Sequence, residues 1–213
     1  MTDDAPHEPP VGPPVGPTDG PTDGPTDGPT DGPAVDVALR GAVLELEKHA
    51  SGQGWDQPAQ LFALVLTEEL LAAQPELAPM LELDPGADLT GSLTPVEQEA
   101  LPAEQALEEL LTQVMWPQEV HGCAVIVERL VLPPSVQDLP EDAAAAQEVA
   151  AAHPEREEVR MVAAATRAGS TYCALRLRSH DEDRQVLEGP DLVPALLELL
   201  QATLATEPVA DEE

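Results

Sequence analysis

The stretch "EVRMVAAATRAGSTYCALRLRSHD", Glu158 to Asp181, decides the fold. Two strand-like runs flank Ala168-Gly169, and that pattern predicts an antiparallel hairpin. In an extended chain, side chains alternate between faces. On the second run, alternation puts Cys173, Leu175 and Leu177 on one side. Tyr172, Ala174, Arg176 and Arg178 fall on the other, followed by His180. What looks in the linear sequence like one reactive cluster of thiol, guanidinium, imidazole and carboxylate therefore divides in two. The cysteine is expected inward among leucines, where a thiol behaves as a small hydrophobe. The arginines are expected on the wet face.

Working back along the chain, "HGCAVIVERLVL" (His121 to Leu132) reads as a third strand, ended by Pro133-Pro134. The run "LFALVL" (Leu61 to Leu66) is short and wholly apolar. It is read as a strand, followed by a helix from Thr67 to about Gln74 and stopped by Pro75. Before it, Leu39, Val43, Leu46 and Ala50 recur at helical spacing, with Asp36 as cap and Gly52 as terminator. "LTPVEQEALP" carries Thr94, Pro95 and Glu97 in capping-box order and predicts a short helix ending before Pro102. Leu107, Leu110, Leu111 and Val114 predict another, with Glu104, Glu108 and Glu109 facing water and Trp116-Pro117 closing it. "EDAAAAQEVAAAHPE" is expected to be a surface helix ended by Pro154. In "GPDLVPALLELLQATL", Asp191 is the expected cap and Leu192, Leu196, Leu199 and Leu200 the expected inner face. These elements give an α+β class: an antiparallel sheet of about four strands, packed on one face by helices.

The 213 residues suit one domain plus a tail. Residues 1–33, with "PTDG" four times in tandem from Pro17 to Gly32, offer little apolar side chain beyond valine and are expected to be disordered. Their regularly spaced aspartates lack the tighter ligand set of a calcium loop. The folded domain is placed at 34–206, with an acidic, disordered 207–213 after it. Hydrophobic residues make up 42% and aromatics 2%, so the core must be built from Leu, Val and Ala.

Charge sets the strongest exclusion. Forty-one acids against nine bases give a formal net charge of -32, which repels phosphate backbones and anionic lipid. With one Phe and one Tyr there is also no stacking platform, so a nucleic-acid partner is not expected. No apolar run approaches a membrane span, and the acidic start resembles no signal peptide, so the expected compartment is the cytoplasm. Cys123 and Cys173 are then expected as free thiols, with a Cys123–Cys173 disulfide the exception. His121 and Cys123 share a face and raise a nucleophile or metal reading, but no third group completes the set nearby. Phosphate-loop, dinucleotide-fold, nucleophile-elbow and zinc-protease motifs are absent, so neither an enzyme nor a cofactor is indicated.

The runs "GWDQPAQLFALV", "LTPVEQEALP", "WPQEVHGCAVIVERLVLPP", "HPEREEVRMVAAATRAGSTYCALRLRSHD" and "DLVPALLELLQATL" carry a family resemblance over about residues 36–205. The chain resembles an uncharacterised actinobacterial family known by a locus-tag name. The resemblance implies the domain boundary and an actinobacterial cytoplasm. It supplies no catalytic residue.

Two readings of function remain. The first is a non-enzymatic binding or scaffold protein acting through protein contacts, with a homodimer as one arrangement. The second is an anionic small-molecule binder or enzyme on an Arg-lined sheet face, using Arg176, Arg178, His180 and Asp181, with Arg129 if its strand neighbours theirs. Arg160, Arg167, Arg176 and Arg178 outnumber Glu158 locally, and arginine forks suit carboxylate and phosphate. The alternative is that the protein's own acids neutralise those arginines, or that they keep the sheet face wet.

Overall fold

The computed structural model describes residues 36–81, 86, 88–102, 105–133, 136 and 149–205. The repeat tail, Glu104 and residues 207–213 lie outside them. So does most of the expected alanine-rich helix, of which residues 149–152 are described and are helical.

Helix α1 (Val37–Gln53) begins where the Asp36 carboxylate accepts the Leu39 N–H at 3.0 Å. It ends at Gly54, whose φ of 84° suits a residue without a Cβ. The expected stop at Gly52 falls inside the helix instead. Strand β1 (Gln60–Leu66) and helix α2 (Thr67–Ala73) resolve the "LFALVL" run as strand then helix. Strand β2 (Leu93–Glu97) overturns the helix expected from the Thr94-Pro95-Glu97 signature. Pro95 sits in an edge strand opposite Leu64, a position where a missing N–H is tolerated. The Thr94 hydroxyl meets Thr67 Oγ1 at 2.9 Å rather than capping a helix.

Helix α3 (Leu107–Leu111) buries Leu107 and Leu111, leaving Glu108 and Glu109 in solvent. Strands β3 (Gly122–Val131), β4 (Glu157–Thr166), β5 (Thr171–Leu177) and β6 (Leu187–Gly189) follow. Helix α4 (Pro194–Leu204) closes the described chain. Its start is set by Pro194 at the first helical position, and Val193 precedes it as a cap without a side-chain bond, so Asp191 is not the cap. Leu197, Leu200 and Leu204 form its buried stripe, Leu196 and Leu199 are half-buried, and Leu192 lies before the helix.

All pairings are antiparallel, in the order β2-β1-β3-β4-β5-β6. The sheet thus has six strands, not four. The two additions are its edges, five and three residues long, too short to show an alternating pattern. Helices also lie on both faces, not one. Leu39, Val43 and Leu46 of α1 pack on Phe62, Leu64, Ile126, Val162 and Tyr172. On the reverse face, Leu107, Leu111, Leu197 and Leu200 pack on Leu61, Cys123, Val125 and Cys173. Burial of every residue from Gly122 to Val127 explains why β3 reads as a continuous apolar run.

Gly122 of β3 has no room for a side chain: a Cβ there would sit 2.6 Å from the Ala165 carbonyl oxygen of β4. Gly41, mid-helix in α1, faces open space. Gly122→Ala is expected to lower the urea midpoint, at a cost of about 1–3 kcal/mol. Gly41→Ala is expected to raise it, by up to about 1 kcal/mol. Equal shifts in the two variants would contradict the register.

Candidate functional site

The pleat of β3, β4 and β5 places Glu128, Arg160 and Arg176 directly opposite one another in one row. All three point to the face under α1. The alternation predicted for β5 holds: Cys173 packs in the α3/α4 layer, while Tyr172 and Ala174 pack under α1. The expectation of a wet arginine face holds for Arg178 and His180, which are exposed, and fails for Arg176, which α1 covers. Arg176 is 1% exposed and Arg160 is 2% exposed.

Both guanidinium groups are met by carboxylates from within the chain. Arg176 donates from Nε and Nη2 to the two oxygens of Glu47, at 2.6 and 3.0 Å. It also donates to Asp181 at 3.2 Å and to Asp183 at 2.9 Å. These bonds, Glu47 foremost, raise its already high pKa despite the opposing effect of burial. Arg160 donates from Nε and Nη2 to Glu128 Oε1 at 3.1 and 2.9 Å, and to the Gly54 carbonyl. Its Nη1 has no hydrogen-bond partner among the described residues.

Past the end of β5, a short 3-10 turn carries Arg178 and His180. Arg178 grips both oxygens of Asp56, at 2.8 and 2.9 Å, and also bonds Glu158. The Asp56 carboxyl is held below the usual carboxylate range by its hydrogen bonds from Arg178. The Arg160 and Arg178 guanidinium carbons lie 4.3 and 5.5 Å from the Trp55 ring centre. Trp55 donates its indole N–H to Asp181 at 2.9 Å, and the Asp56 N–H donates to Glu128 at 2.8 Å. Residues 54–56 are thereby fastened over the end of the ionic row.

Of the residues singled out from sequence, Arg178 and Asp181 meet Trp55, and Arg176 joins them through its bond to Asp181. His180 is exposed beside them, with Nδ1 2.7 Å from Ser179 Oγ. Arg129 lies on the opposite face of the sheet, paired with Glu108 at 3.0 Å. Sequence reasoning missed Glu47, Trp55, Asp56 and Glu128. For Glu47 a signal existed: it follows Val43 by four residues and so belongs to the buried stripe of α1.

The second candidate centre does not assemble. Cys123 is fully buried, its sulfur 3.5 Å from Thr203 Oγ1 and 3.6 Å from the Leu200 carbonyl. Burial pushes its thiol up to about 11. His121 precedes β3 and turns to Glu69, 3.2 Å away. Cys123 and Cys173 are both free, and β4 runs between their strands. Among the described residues, no three His, Cys, Asp or Glu side chains group as metal ligands.

Three grooves could hold a partner. A groove of about 650 Å³ lies between α1 and residues 89–94, lined by Val37, Leu81, Leu89 and Leu93 with small residues between them, and with Glu45 the one titratable group among its described lining residues. On the reverse face, a groove of about 330 Å³ is lined by Val127, Met161, Val193, Leu196 and Leu199, with Glu108 and Arg129. The same Glu108, Val127 and Arg129 border a neighbouring groove of about 430 Å³ beneath α3.

Residues 39–205 match the model of a family described as PPA1309-like protein. No curated protein and no solved structure matches the chain.

Arg176→Ala is expected to cost about 3–5 kcal/mol in urea unfolding, because it leaves Glu47 buried and unpaired. The double change Glu47→Leu with Arg176→Met should recover most of that loss. A loss below about 1 kcal/mol, the range of surface pairs, would contradict the burial of the pair.

The thiols give a separate check. The folded-state value for Cys123 lies above the ordinary one, so its stabilising contribution is full below pH 9.0 and is lost as pH rises through about 11. At pH 8, both cysteines should resist iodoacetamide in the native chain and label fully in denaturant. Rapid native labelling of either would place it at the surface.

Proposed function

The chain belongs to the PPA1309-like protein family, and we propose that it is a non-enzymatic binding protein working through protein–protein contacts. The observation carrying this reading is an apolar rung on the reverse face of the sheet. Val127, Met161, Leu175 and Leu187 stand opposite one another across β3, β4, β5 and β6. Exposure grows along it, from a buried Val127, through half-exposed Met161 and Leu175, to Leu187 at 56%. Leu196 and Leu199 of α4 border the same groove. Contiguous apolar surface of this kind is how interaction sites present themselves. The burial of both thiols and the pairing of Arg160, Arg176 and Arg178 with internal carboxylates argue in the same direction.

The second reading, an anionic small-molecule site on Arg176, Arg178, His180 and Asp181, keeps one specific support. Arg178 is partly exposed, and its partners Asp56 and Glu158 could exchange for a ligand carboxylate or phosphate. Such a ligand would have to displace carboxylates already held at hydrogen-bond distance, against a formal charge of -32.

A photo-crosslinking residue placed at Ala195, which lines the groove and is exposed, is expected to trap a discrete protein in native lysate. The same residue at Glu45, in the first groove, should not. Silence at Ala195, together with a saturable rise in melting temperature on adding phosphorylated metabolites that Arg178→Ala abolishes, would favour the second reading.

A further inference from the structure

We infer that the reverse-face groove receives an amphipathic helix with basic flanks, supplied by a partner protein. This rests on the protein-contact reading above and specifies its partner. The groove is walled by side chains from β3, β4 and α4, not by a free sheet edge. An incoming segment therefore cannot dock by extending the sheet, and must insert side chains from a regular face, as a helix does with residues at i, i+3, i+4 and i+7. The floor, formed by Val127 and Met161, and the wall, formed by Leu196 and Leu199, call for aliphatic anchors.

Charge selects the flanks. Glu108 of α3 lines the groove, Glu109 and Glu198 are exposed on α3 and α4 outside the lining, and neither helix carries a lysine or arginine. The cation in the groove, Arg129, is already tied to Glu108 at 3.0 Å. Both members of that pair are substantially exposed, so a lysine or arginine of the partner can compete for Glu108 at little cost. A second copy of this chain would bring a formal charge of -32 against an equal charge on the first. Complementarity thus favours a basic partner over self-association.

The full-length chain would be titrated into three labelled synthetic peptides of about five helical turns. One pairs a leucine stripe with lysine flanks; one keeps the lysines but replaces leucine by serine; one keeps the leucines but replaces lysine by glutamate. Fluorescence anisotropy should show binding of the leucine–lysine peptide above both others. Ala195→Arg, an exposed change at the groove, should weaken it about tenfold, equivalent to about 1.4 kcal/mol. Gln201→Arg makes the same charge change at an exposed position of α4 that does not line the groove, and should leave affinity within about twofold. Met161→Gln offers a second, apolar-to-polar test of the floor. Equal binding of the leucine–lysine and serine–lysine peptides, or equal effects of the two arginine changes, would overturn the inference. Preference for the leucine–glutamate peptide, or a dimer in sedimentation that Ala195→Arg dissolves, would also overturn it while leaving the protein-contact reading intact. Absence of binding by all three peptides, combined with silence of the Ala195 crosslinker, would remove both.

Discussion

Two guanidinium groups facing the same way from adjacent strands are the constraint on which this structure turns. Antiparallel register sets Arg160 opposite Arg176, and the pleat points both toward α1. Cations so placed repel each other, and out of water that repulsion grows. They are tolerable there only with carboxylates in reach. Glu128 supplies one from the neighbouring strand, and Glu47 supplies the other from the helix above. The helix is therefore held over the sheet at a fixed position along its length, because Glu47 must meet Arg176. The net stability gained is small, since removing such charges from water offsets most of their attraction. What the row contributes is a single position for α1 and, through Trp55 and Asp56, an anchored loop after it.

From this constraint the division of the molecule follows. Under α1, apolar packing by Leu39, Val43 and Ile126 gives way to the ionic row near the end of the helix, and Trp55 closes over it. That face is finished. The reverse face is covered by α3 and α4 only over part of its length. The apolar rung running from Val127 to Leu187 starts buried beside them and rises to 56% exposure at Leu187. The arginines that suggest an anion site in the linear sequence are held by carboxylates of the chain itself: Arg176 by Glu47, Arg178 by Asp56 and Glu158. The groove proposed for a partner belongs to residues with no chemical signature of their own, such as Met161 and Leu196.

Much of the fold was legible because period and burial agree. The Leu39-Val43-Leu46-Ala50 stripe, the Asp36 cap, the Ala168-Gly169 hairpin and the strand-to-helix change at Leu66-Thr67 are local signals that tertiary packing leaves intact. The Thr94-Pro95-Glu97 segment was misread because a capping box and an edge strand make the same residues acceptable. Pairing with β1 decides between them, and pairing is not a local property. Strand β6 is three residues long and has no period to detect. At the candidate site, parity correctly separated Cys173 from Arg176. The polarity of the arginine face was misjudged because charge was taken as a sign of solvent. A buried arginine is recognisable only once its acid is found, and Glu47 lies 129 residues away along the chain. No spacing rule links them.

The sharpest test of this account reads the side chains of the ionic row directly. Proton exchange at the arginine Nε–H groups, followed by nitrogen-15 NMR in the native chain, distinguishes guanidinium groups sealed by internal carboxylates from those open to ligand. The account predicts that the Arg160 and Arg176 Nε–H signals exchange slowly and stay in place as inorganic phosphate is added. Fast exchange, with a saturable displacement of either signal by phosphate, would contradict it.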